Sequence, residues 1–299
     1  MDSANAASAA SSKKGSALLP RVLSALVLIP LTLVCVYWSR WLVVLLVLLA
    51  SVVALRELYG MVAHAGYRPL PWAGMAIGLG LVLAVAGAPY AAPVNLVQLA
   101  LTLAVVVSLV AALPLSRDRG ILPGWGLTFA GAIYFCWLAS HFILLRDLGD
   151  APLAGPLAGL RIPRGAGWIF LICAITWLQD SAAYFVGRAF GRHKMAPLLS
   201  PKKSWEGFAG GAVMSVLAGV LFAWVFGLPL SPWLAALLGL IAAVVGPLGD
   251  LAESLIKRQA GTKDAGSIIP GHGGVLDRGD SLIFIGAVLY YIILLLPAR

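Results

Sequence analysis

Charge is what this chain has least of. Of 299 residues only 11% are charged and twelve are acidic, against 61% hydrophobic and a mean hydropathy of +0.96. That balance excludes a water-soluble domain of this size and leaves a polytopic membrane protein. Cysteine is scarce as well. Cys35, Cys136 and Cys173 all fall in apolar runs without metal-ligand spacing, which excludes a disulfide framework and a zinc site. No GxxxxGK[ST] run occurs, and GRAFGRHK near residue 190 does not supply one, so an ordinary P-loop nucleotidase is excluded too.

What the chain has is apolar runs of about 20 residues, each enough to cross roughly 30 Å of hydrocarbon. They predict an all-α polytopic membrane protein with nine spans, near 20–38, 41–59, 71–89, 93–114, 124–145, 166–188, 205–228, 232–257 and 279–297. The turn between the first two must be very tight, because only Ser39 and Arg40 separate them. With the N-terminus in the cytoplasm and the C-terminus outside, sixteen Lys and Arg face inward; Arg40, Arg146, Arg161, Arg164 and Arg299 do not. The first apolar run lacks a cleavage site for a signal peptide and reads as a retained helix.

Three regions differ in kind. Residues 1–17 form a small, polar tail expected to be flexible; 18–165 supply hydrophobic scaffold helices; 166–299 carry the site. Seven of the twelve acidic residues lie in that last region: Asp180, Glu206, Asp250, Glu253, Asp264, Asp277 and Asp280. A carboxylate at mid-bilayer costs roughly 2.5–3.5 kcal/mol, so such a concentration calls for a cation or a wet pocket.

In the sixth span Trp177, Asp180, Ser181 and Tyr184 share a helical face, so Asp180 either bonds a neighbouring helix or faces a polar pocket. Ser200, Lys202, Lys203 and Ser204 then precede the seventh span, where hydroxyl, ammonium and free helix-start N–H groups suit a polyphosphate; a basic anchor with a cap is the plainer reading. Gly207, Gly211, Ser215 and Gly219 form a ladder of small residues for close helix packing. In the eighth span Gly246-Pro247-Leu248-Gly249 should loosen the helix ahead of Asp250, and Asp250, Glu253 and Ser254 place oxygens on one face with Lys257 a turn further on.

The segment after it holds Lys257, Arg258, Lys263, Asp264 and Pro270-Gly271-His272-Gly273-Gly274, then Asp277-Arg278-Gly279-Asp280 at the ninth span. Glycines let backbone N–H groups approach a phosphate, and Asp277 and Asp280 stand one turn apart. Asp250, Asp277 and Asp280 make a hard oxygen set for Mg²⁺, with Asp180 as a further contributor. From the residues alone this is metal-dependent phosphate chemistry on a lipid, at the cytoplasmic face.

The run from Ser254 through Lys257-Arg258, Lys263-Asp264 and Pro270-Gly-His272-Gly273-Gly274 to Asp277-Arg278-Gly279-Asp280 resembles the C-terminal motif of phosphatidate cytidylyltransferases, the CDP-diacylglycerol synthases. Segments 180–194 and 200–207 are similar to that family's upstream region, so the resemblance covers about residues 165–299. Gly279 departs from the usual aliphatic residue or threonine, loosening the first turn of the last helix, and Ser204 stands where threonine is common.

The resemblance implies transfer of CMP from CTP to phosphatidic acid in phospholipid biosynthesis. It also implies Mg²⁺, a second cation such as K⁺, a homodimer and a bacterial inner-membrane location, with CTP, phosphatidic acid and membrane lipids as partners and no nucleic acid. Asp250, Asp277, Asp280, Lys263 and Arg278 are then the catalytic candidates. Ser200, Lys202, Lys203, Ser204, Lys257, Arg258, His272, Gly273 and Gly274 are those for substrate. A CTP-dependent lipid-alcohol kinase and a cation-coupled transporter are the alternatives.

Overall fold

The computed structural model describes residues 24, 26–91, 93–115, 120–266, 268 and 273–296. The tail 1–17 and His272 lie outside them, as do Lys13, Lys14, Arg21, Arg117, Arg119 and Arg299 of the charge count. The protein is an all-α polytopic membrane protein. Its helices are α1 (Leu26–Trp38), α2 (Arg40–His64), α3 (Pro71–Gly87), α4 (Leu96–Ala112), α5 (Ile121–Ala132), α6 (Leu138–Arg146), α7 (Arg164–Phe190), α8 (Trp205–Phe226), α9 (Pro232–Gln259) and α10 (Leu276–Leu295). A π-helical turn, Ile133–Trp137, joins α5 to α6 as one span. Each of the nine expected spans is therefore a helix. Among the described residues, eight are long and apolar enough to cross a membrane, and Leu26–Trp38 is a shorter apolar helix.

The tight first turn is made by Ser39 alone. Its backbone is extended (φ −155°, ψ 140°), and its hydroxyl accepts from the Trp41 amide at 3.1 Å, capping α2. Ser204 and Ser231 cap α8 and α9 in the same way. Gly227, at φ +66°, ends α8 in the left-handed conformation that glycine adopts without steric cost.

One element departs from the all-helical expectation. Lys194–Ala196 (β1) and Ser200–Ser204 (β2) pair antiparallel, with Lys194 opposite Ser204 and Ala196 opposite Ser200. Glu206 accounts for this local fold. Rather than serving only the helix dipole, its carboxylate accepts from the Arg192 and His193 amides and lies 2.6 Å from His193 Nδ1, drawing the chain before β1 back onto the start of α8.

The small-residue ladder of α8 packs within the chain. A Cβ at Gly207 would crowd Ala183 and Gly187 of α7, and one at Gly219 would sit 2.6 Å from the Ala235 carbonyl of α9. Ser215 donates to the Gly239 carbonyl at 2.6 Å. Gly219→Ile is accordingly expected to force α8 from α9 and destabilise the protein by about 1–3 kcal/mol, seen as a lower thermal midpoint in detergent.

At the end of the bundle away from the site, two of the five arginines that broke the inward charge pattern, Arg40 and Arg146, are taken up by partners. Arg40 pairs with Asp147 at 2.6 Å and donates to the Ala86 carbonyl, while Arg146, only 5% exposed, pairs with Asp150 at 2.7 Å and donates to the Val36 carbonyl. These bonds staple α1, α2, α3 and α6 together.

Candidate active site

The polar cluster forms where the last turns of α7 and α9 meet the first turns of α8 and α10. Pro247 lies inside α9, which nevertheless continues as a helix from Pro232 to Gln259. A proline has no amide hydrogen, so the carbonyl four residues earlier loses its helical donor. Here that carbonyl is Ala243, and the side chain of Gln179 on α7 donates to it at 3.2 Å. The break expected at residues 246–249 is thus absorbed by a neighbouring helix.

One turn past Pro247, Asp250 pairs with Lys203 of β2 at 2.6 Å, and Lys203 reaches the Pro247 carbonyl at 3.4 Å. Ser254 donates to Asp250 Oδ1 at 3.3 Å. Gly249 lets α10 come close: a Cβ there would lie 2.6 Å from the Asp280 carbonyl and 3.0 Å from the Phe284 ring.

Asp277 organises the other side. Lys257 Nζ lies 2.7 Å from its Oδ1, and the Ala265 and Gly274 amides donate to its Oδ2 at 3.0 and 2.9 Å. One carboxylate thus closes the loop between α9 and α10 onto its own helix. Gly273, at φ +85°, supplies a backbone conformation that side chains rarely adopt. Asp280 is 9% exposed and accepts from the Ser281 amide at 2.6 Å. Gly279 lies against the Phe135 ring, where a Cβ would stand 3.2 Å from Cε2, so its lack of a side chain lets α10 meet the π-turn while α10 remains helical.

Two acidic residues outside the expected set belong here. Glu253 is 0% exposed, 3.2 Å from Lys257, and neither of its oxygens has a hydrogen-bond partner among the described residues. The sequence places it on the face of Asp250 but does not reveal that burial. Glu57 comes from α2, in the hydrophobic first half. Its Oε1 accepts from the Val275 amide at 3.2 Å and its Oε2 from the Leu276 amide at 3.0 Å, capping α10 across the molecule. No local motif signals it; the only cue is a glutamate inside an apolar span.

Asp180 is exposed and lines a cavity of about 560 Å³, which answers the alternatives left by its helical face. Asp250, Ser200, Lys202, Lys203 and Ser204 share that lining, and Arg188 and Lys194 add charge that the motif reading had not assigned. Ser204 is buried and caps α8. Arg258 holds the hairpin by donating to the Leu199 carbonyl at 3.3 Å. Lys263 and Arg278 are exposed on the α9–α10 loop and the first turn of α10, and neither lines the cavity. A second cavity of about 790 Å³ lies at the other end, between α8, α9 and residues 154–156, and no ionisable side chain lines it.

The donors suit a hard divalent cation: they are carboxylate oxygens, among them the fully buried pair on Glu253 beside Lys257. Among the described residues no three acidic, His or Cys side chains form a ready-made cage. Lys203 and Lys257 are the cations that neutralise Asp250 and Asp277. A preformed cage is not required for Mg²⁺, which commonly takes one or two carboxylates and completes its shell with phosphate and water.

Residues 19–296 match the model of the cytidylyltransferase family. A protein from Synechocystis sp. named phosphatidate cytidylyltransferase is 33% identical over 294 residues, covering 93% of this chain and 97% of that protein. Proteins of the same name from Bacillus subtilis and Brucella suis are 39% and 43% identical, over 57% and 56% of this chain. The matches span 58% and 57% of those two relatives' own length.

Proposed function

Because this chain belongs to the cytidylyltransferase family, we propose that it transfers CMP from CTP to phosphatidic acid, giving CDP-diacylglycerol and pyrophosphate. The observation that carries this reading is the cavity where Arg188, Lys194, Lys202 and Lys203 stand opposite Asp180 and Asp250, at the ends of helices that face lipid. Cations there suit the triphosphate and the lipid phosphate, and the carboxylates suit a divalent ion that accompanies CTP.

The chemistry asks little of a base. A phosphatidate phosphate is already anionic at neutral pH, so one of its oxygens attacks the α-phosphorus directly. The bond from that phosphorus to the oxygen bridging to the β-phosphate breaks, and pyrophosphate leaves with the electron pair. Catalysis is then alignment and charge neutralisation. Lys203, held between Asp250 and the Pro247 carbonyl, lies at the cavity wall where it meets CTP phosphates. Lys257 is fixed by Glu253 and Asp277 beneath the loop. Lys263 and Arg278 stand outside this lining, so the cations that face the cavity are Arg188, Lys194, Lys202 and Lys203.

Asp250, Asp277 and Asp280, with Asp180 beside them, would hold Mg²⁺, which when bound supplies neutralisation of the leaving pyrophosphate. A K⁺ ion, pairing of two copies and a site on the cytoplasmic face complete the reading. The test is transfer from CTP labelled separately at its α- and γ-phosphorus, with purified protein, Mg²⁺ and either phosphatidic acid or a lipid alcohol. α-Label in the lipid with release of pyrophosphate is expected. γ-Label in the alcohol would make it a kinase, and no transfer would leave transport.

A further inference from the structure

The hairpin formed by β1 and β2 carries its apolar residues in an unusual place. Leu198, in the turn at its tip, is 90% exposed, although it lies outside every membrane-spanning helix and between strands rich in lysine. Phe190 and Trp205, at the hairpin base, are also exposed, as are the basic residues Arg192, Lys194 and Lys202. A single exposed leucine on a soluble surface would mean nothing. This one sits beside helices that cross the bilayer, so its depth decides its meaning.

The depth follows from α9. With 28 residues the helix is roughly 42 Å long, about the thickness of a bilayer with its headgroups. Its last turn therefore lies in the headgroup layer. Arg258, in that turn, donates to the carbonyl of Leu199, the residue next to the tip. The tip is thereby tied to headgroup depth rather than raised into water. Apolar side chains flanked by Lys and Arg at that level have the composition of a surface-seated membrane element.

We infer that the β1–β2 hairpin docks on the bilayer surface, with Leu198 entering the acyl boundary and Arg192, Lys194 and Lys202 engaging anionic headgroups. The same strands line the cavity through Lys194, Met195, Ser200, Lys202 and Lys203. A lipid phosphate gathered by the hairpin therefore meets the cavity wall without leaving the surface. This deepens the proposed transfer by giving the lipid substrate a route from the leaflet.

Depth can be read without activity. A nitroxide on Leu198→Cys, with Cys35 replaced by serine, is placed in nanodiscs of phosphatidylcholine and phosphatidylglycerol. Collision with dissolved oxygen should exceed collision with a water-soluble nickel chelate; the reverse order overturns the inference. Leu198→Asp should raise KM for long-chain phosphatidate in vesicles about tenfold, or 1.4 kcal/mol. It should leave turnover of monomeric short-chain phosphatidate unchanged. Equal loss on both substrates, or loss on neither, also overturns it. A wild-type protein that transfers no CMP would remove the transferase reading while leaving the depth measurement to stand, and a water-exposed label would remove only the hairpin's role.

Discussion

Asp277→Asn is expected to lower CMP transfer by at least about a thousandfold while the protein stays folded and inserted. The native carboxylate meets three donors: Lys257 Nζ on one oxygen, the Ala265 and Gly274 amides on the other. An asparagine keeps one acceptor and turns an NH₂ group towards donors. Either the loop carrying Gly273 and Gly274 opens or Lys257 loses its partner, and the charge offered to a cation is gone in both cases. Folding should survive, because Glu253 still neutralises Lys257 from within α9. The measurement is turnover beside elution profile and thermal midpoint; near-native turnover would take Asp277 out of the chemistry.

Glu57→Ala should be nearly as damaging, from a residue on the opposite half of the chain. Removing its carboxylate strands the Val275 and Leu276 amides, at a cost of about 2 kcal/mol for a lost cap with buried donors. The first turn of α10 carries Asp277 and leads directly into Asp280, so fraying there displaces both carboxylates. Turnover is expected to fall about a hundredfold, with a lower melting midpoint. If the midpoint falls and turnover does not, Glu57 serves the fold alone. Gly266 and Gly274 both crowd the Glu57 carboxylate, where either added Cβ would press on its oxygens, so an alanine at either position should give a milder version of the same loss.

The helices were legible because a bilayer imposes one rule on every span: about 20 apolar residues with all backbone groups bonded internally. α8 and α9 begin at the expected Trp205 and Pro232. α10 begins at Leu276, three residues earlier than its apolar run, because Glu57 caps it from 219 residues away. No local pattern can carry that. The hairpin escaped for a related reason. Ser200-Pro-Lys-Lys-Ser204 has neither alternation nor β-branched residues, and its strand form is owed to pairing with Lys194–Ala196 and to the pull of Glu206 on residues 192 and 193.

The candidate site was legible in its residue types and less so in its pairings. Asp250, Asp277 and Asp280 stood out as charge in an apolar chain, but sequence spacing could not say that Asp250 would pair with Lys203 or Asp277 with Lys257. Those partners come from separate elements, and the second pair depends on how closely α9 and α10 approach at Gly249. Glu253 shows the limit most clearly: its burial follows from the same approach, not from its neighbours in sequence.

The bond from Gln179 to the Ala243 carbonyl works as a depth gauge. Because Pro247 leaves one acceptor vacant at a single height along α9, α7 has one place to grip, and a slip of one residue would leave that oxygen dry and unbonded. Asp180 follows Gln179 directly, and Asp250 lies seven residues beyond Ala243. The vertical offset between the two cavity carboxylates is therefore set by one amide, and lengthening or shortening either helix above it should shift the outer loops without changing that spacing.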